Sequence, residues 1–159
     1  MRFHAFGSCV ESDLLLPGVR AARDTPNADC WLFDARSEAG LRLLRDHPGV
    51  ATAMARGAHI NTRNVSTFQT RAACFGVIAG RHVLAYPAND DVHDLALFAL
   101  GRAFCVALGQ RGLLSLHGAA FEFEGRAVAV VGHRGAGKST FAAAAVAKGL
   151  RIVADDLLA

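Results

Sequence analysis

The sequence predicts an α/β protein: a P-loop-containing βαβ core with preceding antiparallel strands, plus a small N-terminal α+β lobe. Three observations carry this expectation. Residues 132–139 read Gly-His-Arg-Gly-Ala-Gly-Lys-Ser and fit the pattern G-x-x-x-x-G-K-[ST] at every fixed position. A wholly apolar stretch at 127–131 precedes them, and an alanine-rich stretch at 140–147 follows. Beyond Gly149 a second β-branched run, Ile152-Val153-Ala154, leads into Asp155-Asp156. Strand, loop, helix and strand then span about the thirty residues of a βαβ unit.

Along the chain, Phe3, Phe6 and Val10 predict a short strand, ended by Leu16-Pro17-Gly18. Residues 19–29 are polar and contain proline, and Cys30-Trp31-Leu32-Phe33 is a short buried-strand pattern. Residues 37–56 carry leucines around His47-Pro48-Gly49, which breaks one long helix into two short ones. Strands are expected near 66–70, 73–78 and 81–86, the last two joined at Ala79-Gly80. Asn89-Asp90-Asp91 signals a helix start, and 92–108 is apolar on most sides, as a helix buried between lobes would be. Residues 113–123 and 127–131 predict a hairpin about Glu124-Gly125. The expected organisation is a β-rich lobe over 1–88, a buried connecting helix over 89–110 and the core over 111–159.

Composition narrows the partners. Of 159 residues, 52% are hydrophobic, which excludes disorder and permits a working core. Residues 1–100 hold ten basic and ten acidic side chains, and 101–159 hold seven and four, so the net charge of +3 lies in the last third. That excess is too small for a nucleic-acid stripe and suits a local anionic ligand. The four cysteines form no C-x-x-C pair, which argues against a zinc knuckle and fits reduced thiols in a cytoplasm. No signal or spanning segment is expected, since the N-terminus lacks a long apolar stretch and Arg102 interrupts the most apolar helix.

The loop residues have separable roles. Gly132, Gly135 and Gly137 let the backbone curl so that amides face phosphate oxygens, with His133, Arg134 and Ala136 at the variable positions. Lys138 supplies a cation for the β- and γ-phosphates, Ser139 a hydroxyl for Mg²⁺, and Thr140 continues into the helix whose N-terminus favours an anion. Arg134 either touches the terminal phosphate or is solvated, and His133 is expected to be exposed. In a parallel βαβ arrangement Asp155 and Asp156 share the loop's edge, where they can hold Mg²⁺, accept a proton or merely cap a strand. If Phe123 opposes Arg126 across the turn, counting back sets His117 opposite Gly132, beside the phosphates. That register alone leaves His117 open between a structural and a functional role.

The segment resembles the catalytic domain of the HPr kinase/phosphorylase family and its relatives in peptide-modification clusters. The resemblance rests on Leu116-His117-Gly118-Ala119-Ala120, the loop from Gly132 to Thr140, and Ile152-Val153-Ala154-Asp155-Asp156. Phe6-Gly7, the segment Ser12-Asp13-Leu14-Leu15-Leu16-Pro17 and Arg111-Gly112-Leu113-Leu114 echo the relatives more loosely. It implies an ATP- and Mg²⁺-dependent kinase acting on a serine of a protein or peptide, cytoplasmic, with no nucleic-acid or membrane partner and compatible with a homo-oligomer. Lys138 would bind phosphate and Ser139 the metal. Asp156 would take the seryl proton, or return it during phosphorolysis, with His117 and Asp155 in support. His133-Arg134 departs from the family's acidic or Pro-Ser pair. Only three residues follow Asp156, whereas the family continues with further strands and another metal-binding acid, so a C-terminally truncated core is implied. Two other functions remain open: a nucleotide-binding module without turnover, and a small-molecule P-loop kinase or NTPase.

Overall fold

The computed structural model describes residues 1–22, 27–133 and 135–159, with Asp156 described by its backbone alone. It is a mixed α/β protein whose contacts divide the chain into two units, Met1–Gly112 and Leu113–Ala159.

The first unit is built on a seven-stranded mixed sheet. Its strands are β1 (Arg2–Ala5), β2 (Ser8–Ser12), β3 (Cys30–Asp34), β4 (Ile60–Asn61), β5 (Val65–Gln69), β6 (Ala73–Ile78) and β7 (His82–Pro87). They lie in the order β1-β2-β3-β7-β6-β5-β4. The β2/β3 and β3/β7 pairs are parallel and the other neighbours antiparallel. The single N-terminal strand expected from the sequence is a hairpin, because Phe6 (φ 52°) and Gly7 (φ 72°) both take left-handed conformations that close a two-residue turn.

Helices α1 (Glu38–Asp46) and α2 (Pro48–Arg56) flank His47 as the sequence predicts. Ser37 caps α1 by accepting from the Gly40 amide at 3.1 Å, and Pro48 begins α2 where a missing N–H costs nothing. Their apolar side chains Val50 and Met54 meet Cys74, Ile78 and Leu84 of the sheet. Opposite in register are Phe75, Val77, Val83 and Ala85, which pack against the other helical layer. Strand β6 is therefore buried along its whole length, with alternate residues serving two layers.

That second layer is α3 (Val92–Phe98), a π-helical segment (Ala99–Ala103) and α4 (Phe104–Gln110), capped by the Asp91 carboxylate, which accepts from the His93 and Asp94 amides at 3.0 Å each. The sequence suggested a helix buried between lobes. In the structure it belongs to the first unit, laying Leu95, Ala96, Ala99, Ala103, Phe104 and Ala107 in that unit's core. Among the described residues, Val92–Gln110 is the one helix long and apolar enough to cross a membrane. Cys30, Cys74 and Cys105 form no disulfide, and burial pushes the Cys30 thiol up to about 11.

Two expected results follow from this packing. A Cβ placed on Gly40 would stand 2.1 Å from the Asp34 carbonyl oxygen, a backbone atom that cannot yield locally. Gly40→Ala should destabilise the first unit by about 3 kcal/mol, read as a lower denaturant midpoint at unchanged m-value. His82, stacked on Trp31 with centroids 4.9 Å apart, is held below its ordinary 6.5 by burial first and then by His47 and Arg81. The fold therefore favours neutral His82. Its contribution is complete above pH 6.5 and is lost as the pH falls from there toward the lower folded value, because the unfolded chain takes up the proton first. The melting temperature should drop between pH 7.5 and 5.5 (about one unit either side of that value), and less steeply in His82→Phe.

The second unit has a three-stranded sheet of β8 (Leu116–Phe123), β9 (Arg126–Val131) and β10 (Arg151–Leu158) in the order β10-β8-β9, with α5 (Lys138–Ala147) on one face. Its core is Ala119 and Phe121 against Ala142 and Ala145, with Val130 and Leu150 at the margin. Strand β8 is antiparallel to both neighbours, so β9 and β10 run in the same direction with β8 between them. The βαβ unit is thus split. The tight Glu124-Gly125 turn joins β8 to β9, and the strand after α5 pairs with the other edge of β8. The run at 127–131 predicted a buried strand, but β9 is an edge strand with Val128 and Val131 about half exposed.

Candidate functional site

The loop between β9 and α5 owes its shape to two left-handed glycines, Gly135 (φ 83°) and Gly137 (φ 84°). Gly137 is also the residue before α5, and it has no side chain to occupy the helix's free amides. The Ala136 amide donates to the His133 carbonyl at 3.1 Å and closes the turn. Lys138, the first residue of α5, folds back so that its Nζ donates to the carbonyls of Gly132 (2.9 Å) and His133 (3.1 Å).

Across from the loop stands β8. Phe123 pairs with Arg126 and the ladder continues to Gly118 opposite Val131, the register expected from the turn. The ladder ends there, one residue short of His117 and Gly132. Gly118 is required by close approach. A Cβ there would lie 2.6 Å from the Val130 carbonyl oxygen and 3.1 Å from Leu158 Cδ1, so the strands on both sides crowd this position. Glycine within an otherwise β-forming run was the sequence signal for it.

Strand β10 places Asp155 opposite Ala119 and Asp156 opposite Gly118. The pair was expected at the strand's end, but β10 continues through Leu158, which pairs with Leu116. A bulge at Val153 shifts the register between Ile152 and Ala154, and so sets which residues face Ala119 and His117.

These elements enclose a cleft of about 300 Å³ lined by His117, Gly118, Gly135, Gly137, Lys138, Ser139, Thr140 and Asp155. Seven of the residues singled out in the sequence line this cleft, and Gly118 joins them. Gly132, His133 and Ala136 do not line the cleft; the first two act through their carbonyls on Lys138. Expectations placed on Arg134 and on the side chain of Asp156 lie outside the described residues. The lining combines one cation, two hydroxyls, one carboxylate, one imidazole and the first amides of a ten-residue helix. Such a set can hold an anion at the loop and a hard cation between hydroxyl and carboxylate. Among the described residues no group of three His, Cys, Asp or Glu is close enough to form an all-protein metal cage.

Comparison with protein-family models, with curated proteins and with solved structures finds no match for this chain.

Proposed function

We propose that the loop is a phosphate-binding P-loop and that the chain is an ATP-dependent protein or peptide serine kinase of the HPr-kinase-like type, in whole or in part. The observation that carries this reading is the convergence on one cleft of Lys138, Ser139 and Asp155 with His117, which a chance glycine turn has no reason to assemble. The amides of the loop and the first turn of α5 would take the β- and γ-phosphates. Lys138 would leave the Gly132 and His133 carbonyls to follow the transferring phosphoryl group.

The donor set fits Mg²⁺. Ser139 and Asp155 offer hard oxygen ligands on one cleft, and this ion binds through one or two carboxylates together with substrate phosphates rather than through a protein cage. When bound, the ion would neutralise charge on the phosphate oxygens. Asp156 would accept the acceptor serine's proton, and His117 and Asp155 would position it and tune its basicity. The acceptor is then a protein or peptide serine, and nucleic acid has no part in the reaction.

A second reading is a nucleotide-binding module that holds the nucleotide in the same cleft without turnover. Incubation with Mg-ATP and a serine-bearing protein or peptide separates the two. Label appearing on serine supports the kinase, and tight nucleotide binding with no transfer to any acceptor supports the module.

A further inference from the structure

A second and larger cleft, of about 720 Å³, lies wholly within the first unit, between the end of α2 and the sheet. Its volume falls within the range of about 300–1,000 Å³ usual for small-molecule sites. The floor is one cross-strand row: Gln69 pairs with Cys74 and Cys74 with Tyr86, so all three stand on one face of β5, β6 and β7. Leu44 of α1 and Ala51 and Met54 of α2 form an apolar wall, in which the unbranched Met54 can adapt to a ligand. Arg56, in the last turn of α2, contributes the one formal charge of the lining.

Two effects of opposite sign act at that end of the cleft. A helix C-terminus disfavours an anion. Here, however, the helix end closes on itself: the Gly57 amide donates to the Met54 carbonyl at 3.2 Å and the Ala58 amide to that of Ala53 at 2.8 Å. Arg56 carries a full charge, against the residual fraction of a charge at a capped helix end, so the net preference is for an anion. The side chains of Arg56, Gln69 and Tyr86 make no hydrogen bond or ion pair with any described residue, although the Arg36 guanidinium lies 5.7 Å over the Tyr86 ring, and all three line the cleft beside its apolar wall. Burial holds the Cys74 thiol above its ordinary range, so it contributes an apolar, protonated floor and no nucleophile.

We infer that this cleft binds a small apolar carboxylic acid, with its hydrocarbon body against Leu44, Ala51 and Met54 and its carboxylate on Arg56, Gln69 and Tyr86 providing further donors. The site is independent of the kinase reading and shares no residue with the loop cleft.

The test is calorimetric titration of the full chain with decanoate, and with decanol as its uncharged counterpart. Decanoate should bind and decanol should bind at least about tenfold more weakly, the scale of one charge-assisted contact. Arg56→Ala should weaken decanoate by about tenfold and Arg56→Lys by less. Ala51→Phe, which fills the wall, should abolish binding with thermal unfolding still cooperative. Arg56 is exposed, so its variants keep the fold and remain informative should Ala51→Phe fail to fold. Absence of decanoate binding, equal affinity for decanol, or unchanged affinity in Arg56→Ala would each overturn the assignment.

Discussion

Lys138→Ala should lower affinity for Mg-ATP by at least about a hundredfold, the scale of removing a cation from charge-assisted contacts with two phosphates. The structure gives this variant an unusual clarity. Lys138 donates to the Gly132 and His133 carbonyls, both at exposed residues, so truncation returns two acceptors to water and leaves the core of Ala119, Phe121, Ala142 and Ala145 untouched. Thermal stability should therefore change by no more than about 0.5 kcal/mol while binding collapses. Calorimetry with Mg-ATP and a melting curve on the same sample separate the two effects. Unchanged nucleotide affinity in this variant would count against the kinase, the binding module and the small-molecule kinase together. A lysine that only braces its own loop would produce the reverse pattern, lost stability with no ligand effect.

Asp156→Asn is the second substitution with a large expected effect, and it should act on the rate instead of on binding. Loss of a general base costs about 10²–10⁴ in rate. Label transfer to an acceptor serine should fall within that range, while affinity for Mg-ATP changes only a few-fold. Asp155→Asn should behave differently, because Asp155 lines the cleft with Ser139 and the same change there would remove a proposed ligand for the ion. Its defect should shrink as Mg²⁺ is raised, whereas that of Asp156→Asn should persist at every concentration. Equal transfer by wild type and Asp156→Asn would sink the assignment of that residue as the base and leave nucleotide binding as the loop's function.

Much of this architecture is legible in short-range chemistry. Ser37, Pro48 and Asp91 fix helix starts because each satisfies or dispenses with free amides within a few residues. Glu124-Gly125 fixes a two-residue turn, and a side-chain period of two then carries the register from Phe123 opposite Arg126 back to Gly118 opposite Val131. The hairpin at Phe6-Gly7 was not legible, because phenylalanine is seldom found in the left-handed conformation it adopts there (φ 52°). Nor was the status of β9. An unbroken apolar run signals burial when strands flank it on both sides, and the run at 127–131 has a strand on one side only.

The sequence by itself determined the loop, the helix that follows it, the paired turn before it and hence the ladder back to Gly118, since each depends on residues close together in the chain. Only the tertiary structure decided that β8 lies between β9 and β10, that a bulge at Val153 brings Asp155 opposite Ala119, and that the apolar helix over 92–110 lies on the first unit's sheet. It alone also brought Arg56, Gln69 and Tyr86 to one cleft. These are pairings between distant segments. Which open edge or apolar face a strand or helix takes depends on what the rest of the chain has left uncovered, and no local pattern of residues encodes that.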